Sequence, residues 1–141
     1  MGDHLFVYGT LLPHLAPDAV MNEVRQFKWC GQASARGRLY NLGAYPGAVL
    51  DRAADTRIIG QVCQLPDNPA VLAALDDYEG FYYLNDHSDS LFVRTTTVVQ
   101  FSDGREITCW IYVYNRDVGG ALLVPDGDYA KIAALAKKES L

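Results

Sequence analysis

Two β-rich runs, Leu91 to Phe101 and Glu106 to Asn115, are joined by Ser102-Asp103-Gly104 and together predict a hairpin. On the second run Trp110, Tyr112 and Tyr114 alternate onto one face, and Ile111 and Val113 onto the other. Both faces are apolar in body, so neither suits open water. Such a strand is covered on both sides or wrapped into a small barrel, one face packed on helices and the other lining an interior or a pocket. The aromatic face fits plain core, and its phenolic tips also fit a pocket wall.

The 141 residues, half of them hydrophobic, suffice for an ordinary core and are expected to form one domain spanning 1–141. A net charge of -5 with no dense Lys/Arg run argues against a surface that tracks phosphates, so no nucleic-acid partner is expected. Cys30, Cys63 and Cys109 are odd in number, far apart and outside any C-x-x-C spacing. They predict neither a disulfide framework nor a metal site, and they suit a reducing cytoplasm. Cys63 and Cys109 lie in β-like runs and read as small buried thiols. Met1-Gly2-Asp3-His4 carries neither a basic region nor a long apolar segment, so no targeting signal and no membrane span are expected.

At the start of the chain, Leu5 to Tyr8 are β-formers that stop at Gly9. A plain turn fits this pattern. So does an anion cradle, in which the amides of Gly9, Thr10 and Leu11 converge on a carboxylate or oxyanion. Asp18 to Phe27 predicts a short helix with Val20, Met21, Val24 and Phe27 inward. Strand character returns around Arg38-Leu39-Tyr40 and Ala48 to Leu50, and Gly43 to Gly47 between them forces a loop that holds Tyr45. Arg57 to Leu65 predicts a strand in which Gly60 marks a bulge or a close backbone approach.

Pro66-Asp67-Asn68-Pro69 supplies a break and a cap for a helix from Pro69 to about Tyr78, with Leu72, Leu75 and Tyr78 along one side. It stops at Gly80, which places Glu79 at the helix end. The last carbonyls and the neighbouring Asp76 and Asp77 disfavour an ionised Glu79, and both effects raise its pKa toward the range of a useful base. Three solvated acids at a helix end fit the same residues. His87, with Ser88 and Asp89 beside it, cannot form a relay by adjacency alone. A final alanine-rich helix is predicted from Ala130 to Lys138.

Four stretches, Tyr8-Gly9-Thr10-Leu11, Leu39 to Gly47, Asp77-Tyr78-Glu79-Gly80 and Trp110 to Tyr114, resemble in that order the gamma-glutamylcyclotransferase-like superfamily. They are most similar to its gamma-glutamylamine cyclotransferase branch and that branch's small bacterial relatives. The resemblance implies an α+β fold, a small mixed β-barrel flanked by short helices, and a reaction that needs no cofactor and no metal. In that reaction the α-amine of a γ-glutamyl substrate attacks its own γ-carbonyl, expelling an amine and leaving 5-oxoproline. The resemblance further implies that Tyr8, Gly9, Thr10 and Leu11 hold the glutamyl part and that Glu79 is the general acid/base. Tyr45 and Tyr112 are the further candidate substrate-binding residues, and recognition of the substrate carboxylate is expected to rest on backbone amides, with Arg38 or Arg94 as the candidate cation nearby. The implied partner is a small molecule. The alternative is a metabolite-binding or regulatory module that uses the same cavity without chemistry.

Overall fold

The structure, a computed structural model, describes residues 3–12, 15–81 and 90–133. Its strands are β1 (His4–Val7), β2 (Lys28–Asn41), β3 (Pro46–Leu50), β4 (Arg57–Gln64), β5 (Phe92–Phe101), β6 (Glu106–Tyr114) and β7 (Leu122–Leu123). Its helices are α1 (Asp18–Val24), α2 (Pro69–Glu79) and α3, described over 129–133. His87 and the end of the predicted last helix lie outside the described residues.

The predicted hairpin is β5 and β6, paired antiparallel from Phe92↔Tyr114 to Gln100↔Glu106. Along its other edge β6 runs parallel to β1, with Leu5 opposite Trp110. β1 is antiparallel to β4, and β4 to the first part of β2. β2 then returns to β5 through Ala33↔Phe101 and Ser34↔Gln100. The order β2-β4-β1-β6-β5 thus closes on itself into a five-stranded mixed barrel, and β3 and β7 extend the far end of β2. Closure leaves these five strands few free edges and fixes which face points inward.

Two apolar clusters follow from the alternation. Phe6, Ala35, Ile58, Val62, Val99 and Ile111, drawn from all five barrel strands, pack together as the interior. Leu5, Val7, Phe92 and Tyr112 point the other way, onto Val20 and Val24 of α1 and Val71 and Leu75 of α2. β6 therefore has two covered faces, as its sequence predicts: Ile111 joins the first cluster, and Trp110, Tyr112 and Tyr114 the second.

Several local expectations are refined. β2 is a single 14-residue strand beginning at Lys28, longer than the strand character around Arg38 predicts. α1 ends at Val24, and Phe27 is buried from the turn that follows. Gly60 is a close approach: a β-carbon there would meet the Val7 carbonyl at 2.4 Å, and the register shift lies instead between Trp29 and Gly31. Asn68 caps α2 by accepting the Ala70 N–H at 3.1 Å, and Gly80 closes it in the left-handed conformation at φ 71°. Cys63 and Cys109 are buried free thiols, and burial pushes Cys109 up to about 12. No helix among the described residues is long and apolar enough to cross a membrane.

Candidate active site

β1 hands the chain to a tight turn closed by the Leu12 N–H donating to the Gly9 carbonyl at 3.0 Å. Gly9 does not use a left-handed backbone. Its need for a bare Cα is steric, because a β-carbon would stand 2.7 Å from Cγ of Pro46, the first residue of β3. Across the described residues, the amides of Gly9, Thr10 and Leu11 have no protein acceptor. Thr10 Oγ1 accepts the Tyr78 hydroxyl at 3.0 Å, which ties this turn to the end of α2.

Between the turn and the helix lies a cavity of about 250 Å³. Tyr8, Gly9, Thr10, Leu11, Tyr45, Glu79 and Tyr112, the seven residues nominated from sequence, all line it. Pro46, Tyr78 and Phe92, none of them among those seven, complete much of its aromatic and apolar wall. Phe92 meets Tyr45 edge-on with ring centroids 5.8 Å apart, so a loop residue gains a fixed place against β5.

Glu79 is partly buried at the end of α2, and its carboxylate has neither a hydrogen bond nor an ion pair among the described residues. Burial pushes its pKa from 4.5 up to about 8. The expected direction is right, but the cause is corrected: loss of solvent raises it, whereas helix carbonyls and neighbouring aspartates were expected to do so.

Asp76 corrects the expectation further. It is buried, not solvated, and makes a two-pronged ion pair with Arg94, Nε to Oδ1 at 2.8 Å and Nη2 to Oδ2 at 3.1 Å. The Tyr112 hydroxyl also donates to Asp76 Oδ1, at 2.7 Å. Arg94 is therefore committed inside the protein, and Arg38 is paired with Asp51 at 2.7 Å. Neither lines the cavity, so neither is positioned for a substrate carboxylate. The sequence did offer one sign of Asp76: it precedes Glu79 by three residues, on the same side of the helix.

Tyr8 joins the cavity wall to the barrel. Its buried hydroxyl donates to the Tyr112 carbonyl and accepts the Ala48 amide at 3.3 Å. Burial, and then the charge of Glu79, push its pKa strongly upward, so it serves as a neutral clasp near physiological pH. Tyr112 is likewise pushed far up, first by burial and then by its bond to Asp76. The described residues form no cluster of three or more His, Cys, Asp or Glu side chains suited to a metal.

Solved structures share this fold. YkqA from Bacillus subtilis superposes with a TM-score of 0.71 at 22% identity, over 98% of this chain and 43% of that one. The chain thus spans less than half the length of YkqA. The ytfP protein of Escherichia coli gives a TM-score of 0.62 at 28% identity, covering 92% and 98% of the two chains. A gamma-glutamyl cyclotransferase gives 0.63 at 19% identity, covering 99% and 80%. No curated protein matches the chain by sequence. A family model matches residues 5–131, from β1 through the start of α3, and the chain belongs to that family: gamma-glutamyl cyclotransferase, AIG2-like.

Proposed function

We propose that this chain is a γ-glutamyl cyclotransferase that acts on a γ-glutamyl amine or γ-glutamyl amino acid and releases 5-oxoproline and the free amine. The observation that carries the proposal is the sharing of one cavity by an unpartnered carboxyl, Glu79, whose pKa is raised to about 8, and the unpartnered amides of Gly9, Thr10 and Leu11. Glu79 takes a proton from the substrate's α-ammonium, and the freed nitrogen attacks the γ-carbonyl carbon. Amides of the turn hydrogen-bond the glutamyl group and the oxygen that becomes negative. As the bond from that carbon to the leaving nitrogen breaks, Glu79 returns the proton to the departing amine. The surplus proton that the ring nitrogen still carries after its attack passes through Glu79 to the freed amine, which leaves as an ammonium beside the neutral lactam.

One carboxyl serves both transfers because a pKa near the working pH lets it accept and donate with little penalty. The nucleophile is tethered to its electrophile, so the protein's main task is to hold the folded conformer and stabilise charge. Tyr8, Tyr45 and Tyr112 supply ring surface to the substrate, and the hydroxyls of Tyr8 and Tyr112 are already engaged elsewhere. Action on a small metabolite in the cytoplasm is part of the same proposal.

The test is incubation with a panel of γ-glutamyl amines and γ-glutamyl amino acids, with 5-oxoproline followed by mass spectrometry. Glu79→Gln should lose about 10²- to 10⁴-fold in turnover and retain substrate binding. Turnover like that of the wild type in this variant would remove Glu79 from the mechanism. Tight binding without product across the panel would instead favour a metabolite-binding module, a reading that gives no reason for an isolated carboxyl in the cavity.

A further inference from the structure

We infer that Asp76 and Arg94 are a positioning pair for the cavity, holding Tyr112 in its wall while presenting almost no net charge to Glu79. The catalytic meaning of the pair rests on the cyclotransferase reading; its electrostatic meaning does not.

Asp76 and Glu79 stand three residues apart on α2, so their side chains leave the same side of the helix. Asp76 is only 4% exposed. A carboxylate so deeply placed must be compensated, and the fork of Arg94 does this through two hydrogen bonds. Arg94 is itself fixed: its guanidinium carbon lies 4.3 Å from the Trp110 ring centre and 5.6 Å from that of Phe81. The pair is therefore a rigid unit built from α2, β5 and β6.

What this unit holds is Tyr112. Tyr112 donates its hydroxyl to Asp76 and accepts the Tyr8 hydroxyl at its backbone carbonyl, and the ring between those points lines the cavity. A well-packed apolar substitute for a buried ion pair is often equally stable, so stability alone gives weak reason for placing one beside Glu79.

Among the described residues, the titratable groups around Glu79 are the phenols of Tyr8 from the end of β1, Tyr45 from the loop before β3, Tyr78 from α2 and Tyr112 from β6, together with Asp76 and the exposed Asp77 on α2. Arg94 on β5 supplies the cation behind them. Burial raises the Glu79 carboxyl, and Asp76, three residues before it on the same helix, is the nearest carboxylate in sequence on that side. Opposite charges locked 2.8 Å apart should largely cancel at such a third site.

The experiment titrates Glu79 directly, by carbon-13 NMR of the full chain with labelled glutamate carboxyls, its signal identified by its loss in Glu79→Gln. Arg94→Gln leaves Asp76 uncompensated and should raise the Glu79 midpoint by about one pH unit; Asp76→Asn leaves Arg94 uncompensated and should lower it by about as much. The double variant should return close to the wild-type midpoint. Arg94→Lys keeps the charge without the fork, so the midpoint should hold while loosening of Tyr112 lowers turnover about tenfold. Shifts of one sign, or none, overturn the inference. If Asp76→Asn does not fold, Arg94→Gln and Arg94→Lys still decide, since equal midpoints in those two overturn it. A wild-type protein that forms no 5-oxoproline from any γ-glutamyl compound would end the cyclotransferase reading, and the NMR midpoints would still judge the pair.

Discussion

Pro46 lies across Gly9 so closely that a β-carbon on Gly9 would stand 2.7 Å from Pro46 Cγ and 3.1 Å from Cδ. A proline ring at the start of a strand cannot swing aside as a long side chain would. Gly9→Ala should therefore displace the turn or the edge of β3, costing about 1–3 kcal/mol in denaturant unfolding. Because both parts line the cavity, turnover should fall about 10²-fold, well beyond what the stability change explains at saturating substrate.

The proton on Glu79 links activity and stability to pH. Its pKa is about 8 in the folded protein against an ordinary 4.5, so between those values the folded chain holds a proton that the unfolded chain lacks. The contribution of this group to stability is complete below about pH 4.5 and is lost as pH rises through about 8. Glu79→Gln removes the dependence, so its stability relative to wild type should be greater at about pH 9 than at about pH 5 in denaturant titrations. On the cyclotransferase reading, wild-type kcat/KM should rise with pH through about 8 as the free enzyme's base ionises.

Tyr8→Phe should cost about 1–3 kcal/mol, because it strands the Tyr112 carbonyl and the Ala48 amide, both in the buried wall, without their partner. Hydrogen exchange at the Ala48 amide should accelerate with the loss. An unchanged exchange rate there would mean that another acceptor takes the place of the phenol.

Asn68→Ala separates helix stability from site chemistry. Loss of its bond to the Ala70 N–H should cost about 1 kcal/mol, read as a lower midpoint in urea. Glu79 sits at the opposite end of α2, so kcat and KM should stay within about twofold of wild type.

Features that depend on neighbours in the chain were legible in the sequence. Ser102-Asp103-Gly104 announces the β5–β6 hairpin, Asn68-Pro69 starts α2, and Gly80 ends it. The alternation from Trp110 to Tyr114 gives both faces of β6. Asp76 read only as an acid of the helix end, either solvated or adding to the potential at Glu79, because its burial depends on Arg94 and Tyr112, which arrive from other elements. Arg38 and Arg94 looked available for the same reason: an arginine's partner is a matter of tertiary structure. β7 escaped notice as two exposed leucines, paired to Tyr40 and Asn41 at the far end of β2. Only the family resemblance brought the cavity residues together, since nothing local in Tyr8, Tyr45 or Tyr112 specifies that they share a wall.

The pairing of β2 with β5 also bears on how the molecule comes to exist. β2 meets β3 and β4, its near successors in the chain, and β5 and β6 form from a three-residue turn, so each half can assemble from contacts close in sequence. The seam Ala33↔Phe101 and Ser34↔Gln100, like the pairing of Leu5 with Trp110, joins residues far apart in the chain and must wait for the two halves to find each other. The cavity draws its walls from both halves, so neither carries a usable part of it alone. Competence for ligand therefore arrives with the last non-local step of folding, and a chain that stalls before that step presents no partial site.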